Sequence, residues 1–175
     1  MARVRGQGTI TVNGFTLIEL TVIIVILGIM LTLVIPRLGE LGDANLKRSA
    51  RHLTGMIRFL KDEASARKTV FRLQFDIHEG RYWADVMNIN LIDKTVEFKP
   101  FQSEMGSEGT LSGSTTFRDI KVPSHPDDPY IQFISEGWVE HALIHLRDGE
   151  NRDFTLLVNP LTGNTELREG YVEEK

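Results

Sequence analysis

The sequence predicts an α+β fold, one long N-terminal helix packed on an antiparallel β domain. Three observations predict it. Between Phe15 and Ile35 the run is almost unbroken apolar, and Glu19 is its only ionisable side chain. Beyond Pro36, Leu46, Ala50, Leu53, Ile57, Leu60 and Ala64 recur at spacings of four, three, four, three and four, an apolar seam on one helix face. From Phe71 onward apolar and polar residues alternate, and turn residues punctuate the alternation.

Residues 1–14 carry Arg3 and Arg5 and end in Gly14. The apolar run 15–35 follows. At a rise of ~1.5 Å per residue it is long enough to cross a hydrocarbon core of ~30 Å. A carboxylate one turn inside such a span is costly and is usually there for a function. A secretory signal does not account for the pattern. Its apolar stretch is shorter, about 7–15 residues, and it ends in a small-residue cleavage site. Here Pro36-Arg37-Leu38-Gly39-Glu40 follows. A plain anchor explains the length but neither Glu19 nor the small-to-aromatic junction Gly14-Phe15.

Gly14-Phe15-Thr16-Leu17-Ile18-Glu19-Leu20 resembles the type IV prepilin motif of type IV pilins and type II secretion pseudopilins. The resemblance implies a pilin-like fold and a precursor cut by prepilin peptidase between Gly14 and Phe15, with N-methylation of Phe15. It makes Glu19 the acid used in subunit registration. It makes Pro36 the residue that kinks the long helix. It also implies a leader in the cytoplasm, a single pass through the bacterial inner membrane and a periplasmic C-terminal domain. The flanking charges alone do not orient the span, since Arg37, Lys47, Arg48 and Arg51 lie on its other side.

The chemistry of Glu19 stands beside that resemblance. Cleavage would leave an α-amino group, which ordinarily titrates at about 7.7–8, roughly one turn from the carboxylate. Opposite charges ~4 Å apart attract by on the order of 4 kcal/mol at an effective dielectric of ~20. The pair forms either between an incoming subunit's amine and its neighbour's Glu19 or within one chain. Alternatively, the carboxylate snorkels beside its own helix N-terminus.

Residues 36–68 form the amphipathic half of the helix, so that helix is expected from Thr16 to about Lys68. Lys47, Arg51 and Arg58, with Arg48 and Lys61 nearby, occupy faces away from the seam. They read as a solvated face or as a contact with neighbouring subunits or lipid head groups. Residues 69–175 form the β domain. Phe71–Ile77 and Tyr82–Ile89 are expected to pair through the turn at His78-Glu79-Gly80-Arg81, with Thr95–Phe98 as a third strand. A variable loop near 99–129, rich in Ser, Gly and Pro, holds one short strand around Thr116–Val122. Four strands, Tyr130–Ile134, Ala142–Leu146, Asp153–Asn159 and Asn164–Leu167, are expected to form a C-terminal meander on the helix. Asn159-Pro160-Leu161-Thr162-Gly163-Asn164, and Phe133 four residues before Gly137, resemble H-type minor pseudopilins of the GspH/FimT family and related FimT/FimU-type minor pilins.

Composition narrows the function. The chain has 175 residues and a net charge of −4; without a leader holding two arginines and no acid, the charge is −6. That balance weighs against nucleic acid as a partner. With no cysteine, no disulfide is available. His141 and His145 have helical metal-pair spacing but lie on an expected strand, without the H-E-x-x-H acid, and read as surface or half-buried histidines. Asp127-Asp128 do not supply the six to eight oxygens of a calcium cage. Gly106-Ser107-Glu108-Gly109 lacks the strand-to-helix setting of a phosphate cradle. Trp83 and Trp138 read as packing. No cofactor or metal is expected, and no catalytic constellation marks an enzyme.

The resemblance therefore implies a structural subunit at or near the tip of a type II secretion pseudopilus. Its partners would be prepilin peptidase, other pseudopilins or pilins through their N-terminal helices, an inner-membrane assembly platform, the lipid bilayer, and a secreted substrate or outer-membrane secretin. The alternative is a minor type IV pilin for pilus assembly, adhesion or DNA uptake, with the basic helix face and Arg147, Arg152 and Arg168 as its DNA-contact candidates.

Overall fold

The computed structural model describes residues 16–103 and 107–173, with only the backbone described for residues 31–43. Helix α1 is Leu17–Arg67. The chain divides into two compact units between Leu38 and Gly39, inside this helix. In the first unit, every large apolar side chain from Leu17 to Met30 is at least 40% exposed. Among the described residues, no helix is long and apolar enough to cross a membrane. Of the expected span 15–35, Phe15 lies outside the described residues and 31–35 are described in backbone only. The predicted kink at Pro36 lies outside the described side chains.

In the second unit the expected seam is the helix's buried face. Leu46, Ala50, Leu53, Ile57, Leu60 and Ala64 are each no more than 6% exposed. The helix stops where Lys68 turns to φ 54° and the Thr69 N–H reaches back to Ala64 O at 3.3 Å, a left-handed C-terminal cap.

Nine strands follow: β1 Phe71–Asp76, β2 Arg81–Asn90, β3 Thr95–Pro100, β4 Glu108–Thr110, β5 Thr116–Lys121, β6 Tyr130–Phe133, β7 Ala142–Arg147, β8 Asp153–Val158 and β9 Thr165–Glu169. They form two antiparallel sheets. The first runs β3-β2-β1-β6, with β4 also on β2; the second runs β5-β7-β8-β9. One apolar cluster joins both sheets to the helix, and Phe75 meets Phe117 edge-on across it at 5.5 Å.

The expected C-terminal meander is corrected in two ways. Strand β6 leaves it to pair with β1, Phe133 opposite Phe71 and Ile131 opposite Leu73. Both pairs are fully buried, so apolar burial on β1 outweighs the shorter connection to β7. Strand β5, expected as an isolated piece in a loop, becomes the edge partner of β7. Strand β4 was not expected, because Glu-Gly-Thr shows no alternation; it pairs with Arg81–Trp83.

Candidate functional site

The first candidate is the start of α1. Thr16 lies just before the helix, and its Oγ1 accepts the Glu19 N–H at 3.3 Å. Thr16 is thus the N-cap and Glu19 the third helical residue, the Thr-x-x-Glu spacing of a capping box with its N-cap hydrogen bond formed. Sequence reasoning missed Thr16, although the pattern Thr-x-x-Glu ahead of an apolar run signals it. The position also sets the Glu19 carboxylate at the positive end of the helix dipole. Glu19 is exposed, among neighbouring apolar side chains that are exposed as well. Gly14 and Phe15 lie outside the described residues.

The second candidate is the outer face of α1 in the second unit. From Lys47 to Lys61 the helix carries five Lys and Arg residues and no Asp or Glu. Among the described residues, none of these five forms an ion pair with another. Lys47 and Arg51 stand one turn apart as like charges, which costs a helix ~0.2–0.5 kcal/mol. Gly55 is exposed on this face, and a Cβ added there would meet nothing within 4 Å. A glycine inside a helix costs about 1 kcal/mol relative to alanine. A groove lies on each side of the ridge. One is floored by Ala50, Leu156 and Leu167, the other walled by Met56, Phe59 and Tyr82.

The arginines considered for DNA are engaged with acids. Arg147 Nε donates to Asp153 at 2.8 Å, Arg152 Nε to Asp148 at 2.7 Å and Arg168 Nε to Glu166 at 2.9 Å. The Asp148 carboxylate also accepts the backbone N–H groups of Glu150 and Arg152, each at 2.9 Å. Burial pushes its carboxyl up, but these bonds and the Arg152 guanidinium outweigh that and hold it below its ordinary value.

The histidines correct one expectation. His145 is fully buried, not half-buried. Strand β7 is covered on both faces, because the segment after β9 folds over its outer side. His145 Nδ1 lies 2.5 Å from Asp119, its Nε2 lies 3.0 Å from Val172 O, and Tyr171 stacks on the ring at 4.0 Å. His125 joins a second polar knot. There Glu140 accepts from Ser124 Oγ at 2.6 Å and the Gln132 N–H at 3.0 Å, with His125 Nε2 at 2.8 Å. Burial raises the Glu140 carboxyl, and these partners more than reverse it. The knot ties the proline-rich segment before β6 to the chain ahead of β7. Among the described residues, no three His, Asp or Glu side chains gather as a metal site. Trp83 is half-buried and Trp138 is exposed on the rim.

The two C-terminal turns singled out in the sequence both abut the helix. Gly137, φ 87°, leaves no room for a Cβ beside Ser65 Oγ. Gly163, φ 66°, does the same beside Lys61. Asn159 Oδ1 accepts the N–H groups of Leu161 at 3.0 Å and Thr162 at 3.1 Å, shaping the second turn.

No protein-family model matches the chain, and no curated protein matches it in sequence. Solved structures do match. One of the minor pseudopilin EpsH from the type II secretion system of Vibrio cholerae has 16% identity and a TM-score of 0.52, over 70% of this chain and 95% of that one. A second EpsH structure has 15% identity and a TM-score of 0.54, over 74% and 97%. The type IV minor pilin FimU of Pseudomonas aeruginosa has 14% identity and a TM-score of 0.46, over 72% and 90%. The EpsH likeness shows the fold: a helix packed on antiparallel sheets in the pilin-like manner.

Proposed function

We propose that this chain is a minor pseudopilin, a structural subunit at or near the tip of a type II secretion pseudopilus that aids its assembly and protein export. The observation that carries the reading is the start of α1: a capped helix whose third residue is an acid, followed by side chains that are apolar and exposed on every face. A helix apolar all round needs a membrane or other helices around it. The pilin-like fold of the second unit supports the same reading.

In this function the chain is a substrate of prepilin peptidase and not itself an enzyme. The peptidase cuts between Gly14 and Phe15, and Phe15 is methylated. Residues 15–35 hold the subunit in the inner membrane, with the β domain in the periplasm, and then pack on the N-terminal helices of other subunits in the fibre. Pro36 bends the helix between the two settings. Glu19 meets the amine of an incoming Phe15, so that a subunit out of register leaves a carboxylate unpaired among apolar side chains. The assembly platform extracts the subunit, and a secreted substrate or the secretin meets it near the tip.

Intact-mass and N-terminal analysis of the chain co-expressed with prepilin peptidase tests the reading. The expected product begins at N-methylated Phe15. A membrane-bound chain that still begins at Met1 overturns it.

A further inference from the structure

We infer that the outer face of α1 between Lys47 and Lys61 is a docking surface for an acidic amphipathic helix of another protein, crossing at Gly55. The inference rests on the folded domain alone and holds whether or not the fibre reading does.

Three observations meet at this face. The first is charge. A net-negative protein gathers five cations on one stretch of helix with no acid among them, while other arginines on its surface are matched by carboxylates. The second is shape. Gly55 is exposed and has open space where a side chain would stand. Arg51 lies four residues before it and Arg58 three after, so a cation flanks the notch one turn away on each side. Nothing in the chain's own packing requires a glycine here. A partner backbone crossing the helix does, because close approach needs a small residue at the crossing point. The third is the apolar ground beside the ridge: Ala50, Leu156 and Leu167 on one side, Met56 and Phe59 on the other.

Together these select the occupant. The apolar groove floors suit side chains of an amphipathic helix and offer nothing to a phosphodiester backbone. Glu108 borders the second groove and repels a polyanion wide enough to reach it. A second copy of this chain crossing at the same notch would set Arg51 and Arg58 against the same two arginines. An acidic helix instead places carboxylates one turn apart against Arg51 and Arg58 while its apolar side chains enter the grooves.

The test uses the full chain in detergent micelles and a fluorescent helical peptide of Glu, Ala and Leu, acidic on one edge and with alanine at its midpoint. Fluorescence anisotropy is expected to show binding that weakens with salt. Arg51→Glu with Arg58→Glu is expected to weaken it by about tenfold or more. Gly55→Leu, which changes no charge, is expected to weaken it similarly, with the circular dichroism melt of both variants unchanged or raised. Equal binding of a proline-broken peptide of the same composition would overturn the helical occupant. Unaltered binding by Gly55→Leu would overturn the crossing point. Preferential binding of duplex DNA or of phosphatidylglycerol vesicles, or self-association through this face, would overturn the choice of partner.

Discussion

Helix α1 contains two apolar regions that meet opposite fates. From Leu17 to Met30 every large apolar side chain is exposed, whichever way it points. From Leu46 to Ala64 the buried apolar residues keep to one stripe sealed under two sheets, with Met56 and Phe59 half-buried at its border. The difference is one of pattern more than of hydrophobicity. A stripe about one face wide matches what a two-sheet domain can cover, and the remaining faces can be polar. An all-round apolar surface exceeds what any sheet on one side can cover. A helix apolar on every face is covered by a membrane or by other helices, and burial of such area, at roughly 25 cal/mol per Å², is the driving force for finding that cover.

The sharpest way to break this comparison is to shave one side chain from each region. Leu53→Ala removes a fully buried seam residue and is expected to destabilise the domain by ~2–5 kcal/mol, read by denaturant unfolding of the full chain in detergent. Ile24→Ala is expected to leave that transition in place. Equal losses from the two would mean that the exposed sleeve supports the domain directly.

Polar groups repeat the contrast. Asp148 and Glu19 are both carboxylates, but Asp148 is buried beneath three donors and Glu19 is exposed. Asp148→Ala removes the side-chain acceptor of the Glu150 and Arg152 backbone N–H groups and one of the carboxylates on the Arg152 guanidinium, and is expected to cost ~1–3 kcal/mol of unfolding free energy. Glu19→Ala is expected to leave domain unfolding unchanged while reducing incorporation into fibres. Its full incorporation would remove the registration role.

Acid extends the same comparison with a sign that follows from the shifts. The Asp148 and Glu140 carboxyls lie below their ordinary values in the folded chain. In the unfolded chain they take up protons first as pH falls. Their contribution is therefore complete above the ordinary carboxylate range, about pH 4, and is lost as pH drops through the folded values. The unfolding free energy is expected to fall between about pH 5 and about pH 3, two settings chosen to bracket that range, with a shallower fall in Asp148→Ala. An identical slope in that variant would assign the acid sensitivity to other groups.

How much of this was legible in the sequence depends on the range of the interaction concerned. The seam could be read residue by residue, since spacings of three and four are a local property of a helix. Strands β1, β2 and β3 follow one another and pair in order, so alternation and a turn located them. Strand β6 did not, because its choice of β1 over β7 is decided by Phe71 and Leu73, some sixty residues away. His145 was placed too near the surface for the same reason. Its cover is Tyr171 and Val172, a segment after the last strand whose return over β7 leaves no trace in local periodicity. At the candidate site, Glu19 stood out as a charge in an apolar run, whereas Thr16 did not, because a capping threonine is ordinary except in its spacing to the acid. Gly55 was invisible as well: a glycine's significance lies in what is missing around it.

The smallest effect is the most discriminating, because it separates two faces of a single helical turn. Ile57 is fully buried in the seam, and Gly55, two residues earlier, looks outward into open space. If the outer face served only solvation, alanine would be the better residue at position 55. Gly55→Ala is expected to stabilise the domain by ~0.4–1 kcal/mol, since it lowers the entropy of the unfolded chain and strains nothing in the folded one. That is a rise of a few degrees in Tm, measurable by circular dichroism. The same methyl group stands where a crossing backbone would pass, so the gain in stability should accompany weaker binding of the acidic helical peptide. A chain that keeps glycine there forgoes stability available from one substitution, and the open notch gives that loss a physical reason. A Gly55→Ala variant that is more stable and binds as well as the parent would leave the glycine without one.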